Sequence, residues 1–439
     1  MILAAACSIV SAYAGILAVC LVPGNMPHIV TLLTAAGILL MGHGLQLTLL
    51  PLHAEALGWS AYSIAISGSA YFSGFVAGCM SVPTIVGRVG HIRTFTVMGA
   101  VATIALLLAG LLVSLPGWLA FRFGTGFALS GLYIVLESWL AETTPTEQRG
   151  TVLAFYSMIC LVSMSVGQAF LGLVSPLSLQ LFVVGAALIS LATIPIGLTR
   201  MPAPQPIPSA RFSARVLTQV PRVALVCTFF GGLVTGSFWT IGPLVGRNFG
   251  LSPGQVGAMM SAGILGGALS QLPIGRLSDR TDRRYVIAAM LATGSFVAGL
   301  GWYLVESSYL ALYVVFFCIG ATAMPLYALC IVHASDHAEL PLVEVASGVL
   351  ITNSVGAIIG PVVVAKMIED YGASSFFLYV LLCLSVAFVW TVHRIWIVER
   401  PKQHDVPAAV LPQTTQAVTE LSPVVSSSEP RDQDQSSLN

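Results

Sequence analysis

G-R-L-S-D-R-T-D-R-R, Gly275–Arg284, decides how the rest of the chain is read. It packs Arg276, Asp279, Arg280, Asp282, Arg283 and Arg284 into ten residues of a protein that is only 8% charged. Apolar runs of membrane-span length flank it, and a dense charged turn has no place in hydrocarbon. The stretch therefore marks a membrane–water boundary. Short arginine-rich loops stay on the cytoplasmic side, so it also sets the side. On charge alone, a solvated topogenic loop accounts for it. The spacing adds a second reading: a glycine, three residues, Asp-Arg and then Arg-Arg suit a hinge and a gate.

Outward from that stretch, the 439-residue chain is 56% hydrophobic. A soluble domain cannot hide that much apolar surface behind so few charges. Eighteen basic and eighteen acidic residues cancel, and nothing points to nucleic acid. The eight cysteines show no C-x-x-C spacing and read as small hydrophobes. Twelve apolar runs are predicted to span: Ile29–Leu52, Ala61–Val86, Phe95–Leu115, Trp118–Leu140, Thr151–Val174, Leu177–Leu198, Val223–Val245, Gly254–Leu277, Tyr285–Val305, Tyr309–Ile331, Val345–Ile368 and Ser374–Trp396. The expected fold class is an all-α polytopic membrane protein.

The predicted organisation has five parts. Residues 1–25 form an apolar extension, an extra span or an upstream stretch ahead of Met26. Residues 26–199 and 223–398 are two six-helix bundles. Residues 200–222, with alternating prolines and four arginines, are a cytoplasmic linker. Residues 399–439 are a polar, disordered cytoplasmic tail. With both ends of the twelve-span core inside, fifteen of the eighteen Lys and Arg residues are cytoplasmic, leaving Arg122, Arg247 and Lys366. The location is then a cell (inner) membrane, crossed many times.

The halves repeat. A shift of 192 positions lays Pro51 on Pro243, Gly58 on Gly250, Ser60 on Ser252, Gly74 on Gly266 and Arg88 on Arg280, without a gap. Two such halves side by side enclose a cavity at mid-membrane.

Gly275-x-x-x-Asp279-Arg280-x-Asp282-Arg283-Arg284 resembles the G-x-x-x-D-R-x-G-R-R loop motif of the major facilitator superfamily, with Asp282 in place of a glycine. Its first-half counterpart, Pro83–Arg93, keeps Arg88 and Gly90 but has Gly87 where the aspartate belongs. Arg122-F-G-T-Gly126 resembles the family's fourth-span R-x-x-x-G, and Gly356-x-x-x-Gly360-Pro361 its G-x-x-x-G-P. The runs A-Y-F-S-G (70–74), L-Y-I-V-L-E-S-W-L (132–140) and V-G-A-I-I-G-P (355–361) look like the YcaD-like branch. The resemblance covers about Met26–Arg400 and implies a secondary transporter of twelve spans, a monomer in the bilayer without cofactor.

In that reading Arg88, Gly275, Asp279, Arg280, Arg283, Arg284, Gly356, Gly360 and Pro361 serve gating. A buried aspartate at a span end accepts bonds from a facing helix N-terminus, and arginines bridge to acids. The two glycines equally suit close helix packing. Arg122 sits one turn inside an apolar run and needs an internal partner or a route to the surface. Glu137 lies about 22 Å further along the helix, too far to pair with it. Glu137 locks a gate through Arg88 or Arg93, titrates protons, or anchors at the interface; with Arg122 it is the candidate for proton coupling.

His43, Gln46, Tyr71, Tyr133, Trp239, Gln271, Tyr327 and Asn353 are polar or aromatic in mid-span. Singly, each suits an interhelical contact. Together they suit a mostly apolar pocket with a few polar anchors for a small organic solute. His333-A-S-D-His337 offers two imidazoles and one carboxylate, too thin a set for a metal. With no Walker lysine, G-x-S-x-G or H-E-x-x-H pattern, neither ATP-driven transport nor an enzyme is expected. The expected function is proton-coupled transport by alternating access. Direction stays open, with export the leading reading and import of a nutrient or vitamin-like metabolite the alternative. A non-transporting membrane sensor is the remote one.

Overall fold

The computed structural model describes residues 27–145, 149–199, 214–305, 308–337 and 342–397. The expectations for residues 1–25, for 399–439 and for most of the 200–222 linker lie outside the described residues. Twelve long helices follow one another: α1 Pro27–Ala56, α2 Ala61–Val89, α3 His91–Leu111, α4 Leu115–Thr143, α5 Arg149–Ala169, α6 Leu179–Gly197, α7 Arg222–Asn248, α8 Pro253–Arg280, α9 Arg283–Leu304, α10 Tyr309–Ser335, α11 Leu342–Tyr371 and α12 Ser375–Ile397. No strand occurs among the described residues. Eleven of the twelve are long and apolar enough to cross a membrane. The other, α8, is 28 residues long. Its glycines, serines and glutamines dilute its apolar character, while Leu265, Leu269 and Leu272 are exposed at helical spacing.

Within the first half, α2 packs on α4, α1 on α5 and α6, and α3 on α4 and α6. Within the second, α8 packs on α10, α7 on α11, and α9 on α10 and α12. The same pairings recur six helices on, as the 192-residue shift requires. The contact points recur too. A Cβ on Gly74 would overlap the Phe123 carbonyl, and one on Gly266 that of Phe317. A Cβ on Gly44 would overlap the Met164 backbone, and one on Gly236 that of Ala357. Between apolar helices in lipid, close approach of backbones is the main attraction available, so these glycines set the pairing. Gly58 and Gly250, at φ 80° and 84°, make equivalent turns, followed by Ser60 and Ser252, which cap α2 and α8.

The arginine-rich stretch is not a loop. Gly275–Arg280 continue α8, and Arg283–Arg284 open α9. Only Thr281 and Asp282 are extended. At the equivalent first-half turn, Gly90 adopts φ 86°. Asp282 instead takes φ −60° and caps α9, its carboxylate accepting from Arg284 N at 3.0 Å. A residue that caps has no need of the left-handed region, which explains why an aspartate fits where the motif has glycine. The last part of the 200–222 linker is also ordered. A short helix, Ala214–Gln219, lays Val216 and Val220 against Gly348 of α11.

Candidate functional site

A cavity of about 190 Å³ lies between the halves, lined from α1, α2, α4, α5, α7, α8, α10 and α11. The four remaining helices stand outside it. His43, Tyr71, Tyr133, Trp239, Gln271, Tyr327 and Asn353 all reach it. Tyr133 and Tyr327 sit on α4 and α10, which occupy matching places in the two bundles, so one ring comes from each half. The His43 ring stacks on Tyr71 at 6.1 Å and meets Tyr133 edge-on at 6.0 Å. Gln46 does not line the cavity. One turn further along α1 it is fully buried, with its Nε2 3.0 Å from His43 Nδ1, so it fixes the imidazole from behind. A three-residue step along a helix moves a side chain off the cavity face while keeping it in reach of its neighbour.

The rest of the wall is apolar or weakly polar. Phe72, Phe75, Met164 and Met324 enclose it, and Ser157, Thr228 and Thr235 supply hydroxyls. Sequence reasoning missed these, and α5 as a contributor. Phenylalanines and methionines in a span look alike whether they face lipid or cavity. No aspartate, glutamate, lysine or arginine is among the described lining residues.

Arg122 is 4% exposed and does not snorkel. Its guanidinium lies 4.7 Å over the Tyr71 ring, and Nε donates to the Ser67 carbonyl at 3.4 Å. It therefore stands directly behind a ring that lines the cavity. Glu137 is fully buried on α4 and accepts from the Tyr156 hydroxyl of α5 at 3.3 Å. Arg88 is exposed at the end of α2.

The predicted gate residues divide. The expectation of a buried Asp279 fails: its side chain is 35% exposed and lies 3.6 Å from Arg283 of its own half. The buried carboxylate is Asp336, at the end of α10, whose Oδ2 is 2.7 Å from Arg283 Nη1. It belongs to the H-A-S-D-H run weighed only for metal. Arg284 folds back on Asp282, with Nη2 2.8 Å from Oδ2. Burial pushes the Asp282 carboxyl up, but hydrogen bonds from the Arg284 side chain and backbone outweigh it and hold the group below the usual carboxylate range. Arg280 is exposed, and a Cβ on Gly275 would meet nothing within 4 Å. Gly356 and Gly360 press on the Phe229 and Leu233 carbonyls of α7, with buried Pro361 next along α11. In the first half, His91 and Trp139 face each other with ring centroids 6.2 Å apart, near the end of α4 as Asp336 is near the end of α10.

The halves meet on one side of the cavity. Glu55 pairs with Arg247 at 3.4 Å, and Tyr62 N donates to Glu369 Oε1 at 3.0 Å. Ser69 Oγ donates to the Ile358 carbonyl at 2.6 Å, and Ser261 Oγ to that of Ser165 at 3.4 Å. All four lie toward the end bearing the Gly58 and Gly250 turns, away from the arginine-rich end.

The family model described as Major Facilitator Superfamily matches residues 32–221 and 224–428. The chain is 26% identical over 348 residues to an uncharacterized MFS-type transporter, YcaD, of Salmonella arizonae, covering 78% of this chain and 88% of that one. Among solved structures, the nucleoside transporter NupG (D323A mutant) superposes with a TM-score of 0.69 at 15% identity, covering 83% of this chain and 99% of that one. A bacterial homologue of the human lysosomal transporter Spinster, inward-facing and occupied, superposes with a TM-score of 0.62 at 14% identity, covering 85% and 96%. At such identities the solved structures share the fold alone.

Proposed function

The chain belongs to the major facilitator superfamily, and from that premise we propose that it carries a small, uncharged organic solute through the central cavity by alternating access, coupled to protons. That it is a multi-pass membrane protein and a secondary transporter follows from the family. The solute class is our reading of the cavity. One observation carries it: the described residues that line the cavity come from eight helices of both halves and include no aspartate, glutamate, lysine or arginine. Aromatic walls and a few amide, hydroxyl and imidazole groups suit a ring-bearing neutral molecule better than an ion or a sugar phosphate.

The four contacts between halves supply the gate away from the arginines. With the arginine-rich ends in the cytoplasm, as the positive-inside rule assigns them, this arrangement opens inward. Transport would then require the Glu55–Arg247 and Ser69–Ile358 contacts to part while the arginine-rich ends close. The exposed Asp279 and Arg280 suit a gate that is open in this state. For coupling we assign Arg122, which touches a cavity ring, and Glu137, buried between α4 and α5. Export is the leading direction.

The test is transport by purified protein in proteoliposomes. An imposed pH gradient should drive movement of a solute found by thermal-shift screening, and Glu137→Gln should abolish the pH dependence. Movement indifferent to the gradient, with Glu137→Gln indistinguishable from the parent, would end the coupling assignment.

A further inference from the structure

A second groove, of about 620 Å³, opens at the arginine-rich end between α8, α9 and α10. Among the described residues it shares no lining residue with the central cavity. Its charged rim comes from three sources. The end of α8 contributes Arg280, with Arg276 and Asp279 beside it; the turn and the start of α9 contribute Asp282 and Arg283, with Arg284 beside them; α10 contributes His333, Asp336 and His337. Four arginines thus stand against three aspartates. The aspartates are already engaged: Asp282 by Arg284, Asp336 by Arg283 and, more loosely, Asp279 by Arg283.

What remains for a ligand is cationic or hydrogen-bonding. Arg280 is exposed and takes part in none of the ion pairs among the described residues. His333 is 3% exposed, and its Nδ1 has no hydrogen-bond partner among them, although the residue lines the groove. A buried imidazole nitrogen left without a partner is unfavourable by itself, and a ligand oxygen would satisfy it once the ring turns that nitrogen, carrying hydrogen, toward the groove.

The groove is also amphipathic. Tyr285 and Ala289 line it and are exposed, and they begin a stripe that continues along α9 through Phe296, Leu300 and Tyr303 at helical spacing. A water-soluble anion has no use for that stripe, whereas an acyl chain does. We propose that this groove binds the phosphate headgroup of an anionic phospholipid, at Arg280 and His333, with the acyl chains lying along the α9 stripe. The lipid would bridge the ends of α8, α9 and α10, the elements that carry the second-half gate residues.

The full chain, purified in detergent, is titrated with phosphatidylglycerol, phosphatidylcholine and inorganic phosphate, and the first bound molecule is quantified by native mass spectrometry. Phosphatidylglycerol should bind at least about fivefold more tightly than phosphatidylcholine, the worth of one arginine near a membrane surface. Arg280→Gln should remove about that factor. His333→Phe, which keeps a ring in place, should also weaken phosphatidylglycerol. Arg276→Gln removes the same charge from the same helix end outside the groove lining, and should leave binding unchanged. Equal binding of the two lipids would overturn the proposal. So would a loss for Arg276→Gln as large as for Arg280→Gln, because general surface potential would then explain it. Inorganic phosphate binding as tightly as the lipid would overturn the lipid assignment. Each variant is compared by circular dichroism and elution volume, and Arg280, being exposed, can be changed without disturbing the packed interior.

Discussion

Asp336→Asn separates the buried charge pair from the exposed one. Arg283 Nη1 and Asp336 Oδ2 are 2.7 Å apart, with side chains 4% and 1% exposed. Asparagine preserves the shape and one acceptor but leaves the guanidinium charge buried with less to balance it. Removing one partner of a buried pair costs about 3–5 kcal/mol. The lower end applies here, about 3 kcal/mol, because Asp279 lies 3.6 Å from the same guanidinium and can take part of the charge. Asp279→Asn breaks a pair whose acid is 35% exposed, and solvent screening limits the loss to about 0.5 kcal/mol. The ratio of folded to unfolded protein should thus fall by roughly two orders of magnitude in one variant and about twofold in the other. Replacing both charges, as Arg283→Met with Asp336→Leu, should recover stability to within about 1 kcal/mol of the parent, since no unpaired charge is then buried. The measurement is urea unfolding in detergent micelles followed by tryptophan fluorescence, with linear extrapolation to water. Equal losses for Asp336→Asn and Asp279→Asn would refute the reasoning, as would a double variant no better than Asp336→Asn alone.

Three further outcomes are expected. A Cβ on Gly257 would sit 2.6 Å from the Gln168 carbonyl across the halves; Gly257→Val should destabilise that closed end by about 1–3 kcal/mol and lengthen the electron–electron distance between spin labels at exposed Leu57 and Tyr371. An unchanged distance would show that this contact does not hold the halves together. For a ligand found by thermal shift, Trp239→Ala in the cavity should weaken binding by at least about tenfold, while Trp390→Ala on α12 should not, and equal effects would move the site elsewhere. Asp282→Ala should cost about 1 kcal/mol through loss of the α9 cap, and more because the buried Arg284 guanidinium loses its carboxylate. Because the folded-state carboxyl titrates below its unfolded value, its contribution is complete above about pH 4 and fades as pH drops through the folded value. Unfolding followed from pH 7 to pH 3 should therefore show a steeper loss in the parent than in Asp282→Ala, and parallel curves would contradict the assignment.

A polar or aromatic side chain in the middle of a span stands out because hydrocarbon penalises it unless something inside receives it. That is why Trp239, Gln271 and Asn353 could be picked from sequence, and why they share one cavity. Gln46 met the same criterion and lies beside the cavity, because the criterion says "inside" without saying which side of α1 faces the space. Asp336 stood out in sequence only as a metal-ligand candidate, for the opposite reason: at a helix end a carboxylate is cheap, and only the neighbouring Arg283 makes it a buried charge. Glu55 and Arg247, at the ends of α1 and α7, are likewise unremarkable until the halves are set against each other.

By itself the sequence determined the twelve apolar runs between Ile29 and Trp396, the polar breaks between them and the duplication, since run length, charge and the register of Gly58 with Gly250 are local or repeated properties. Even the arginine-rich stretch could be placed at a boundary, although its helical continuation could not. Tertiary structure alone decided which carboxylate Arg283 neutralises, which end of the molecule is closed, and that Arg280 and His333 border one groove with the α9 stripe. These depend on which helix faces come together, and in a chain of apolar helices composition hardly distinguishes a face that meets lipid from one that meets another helix.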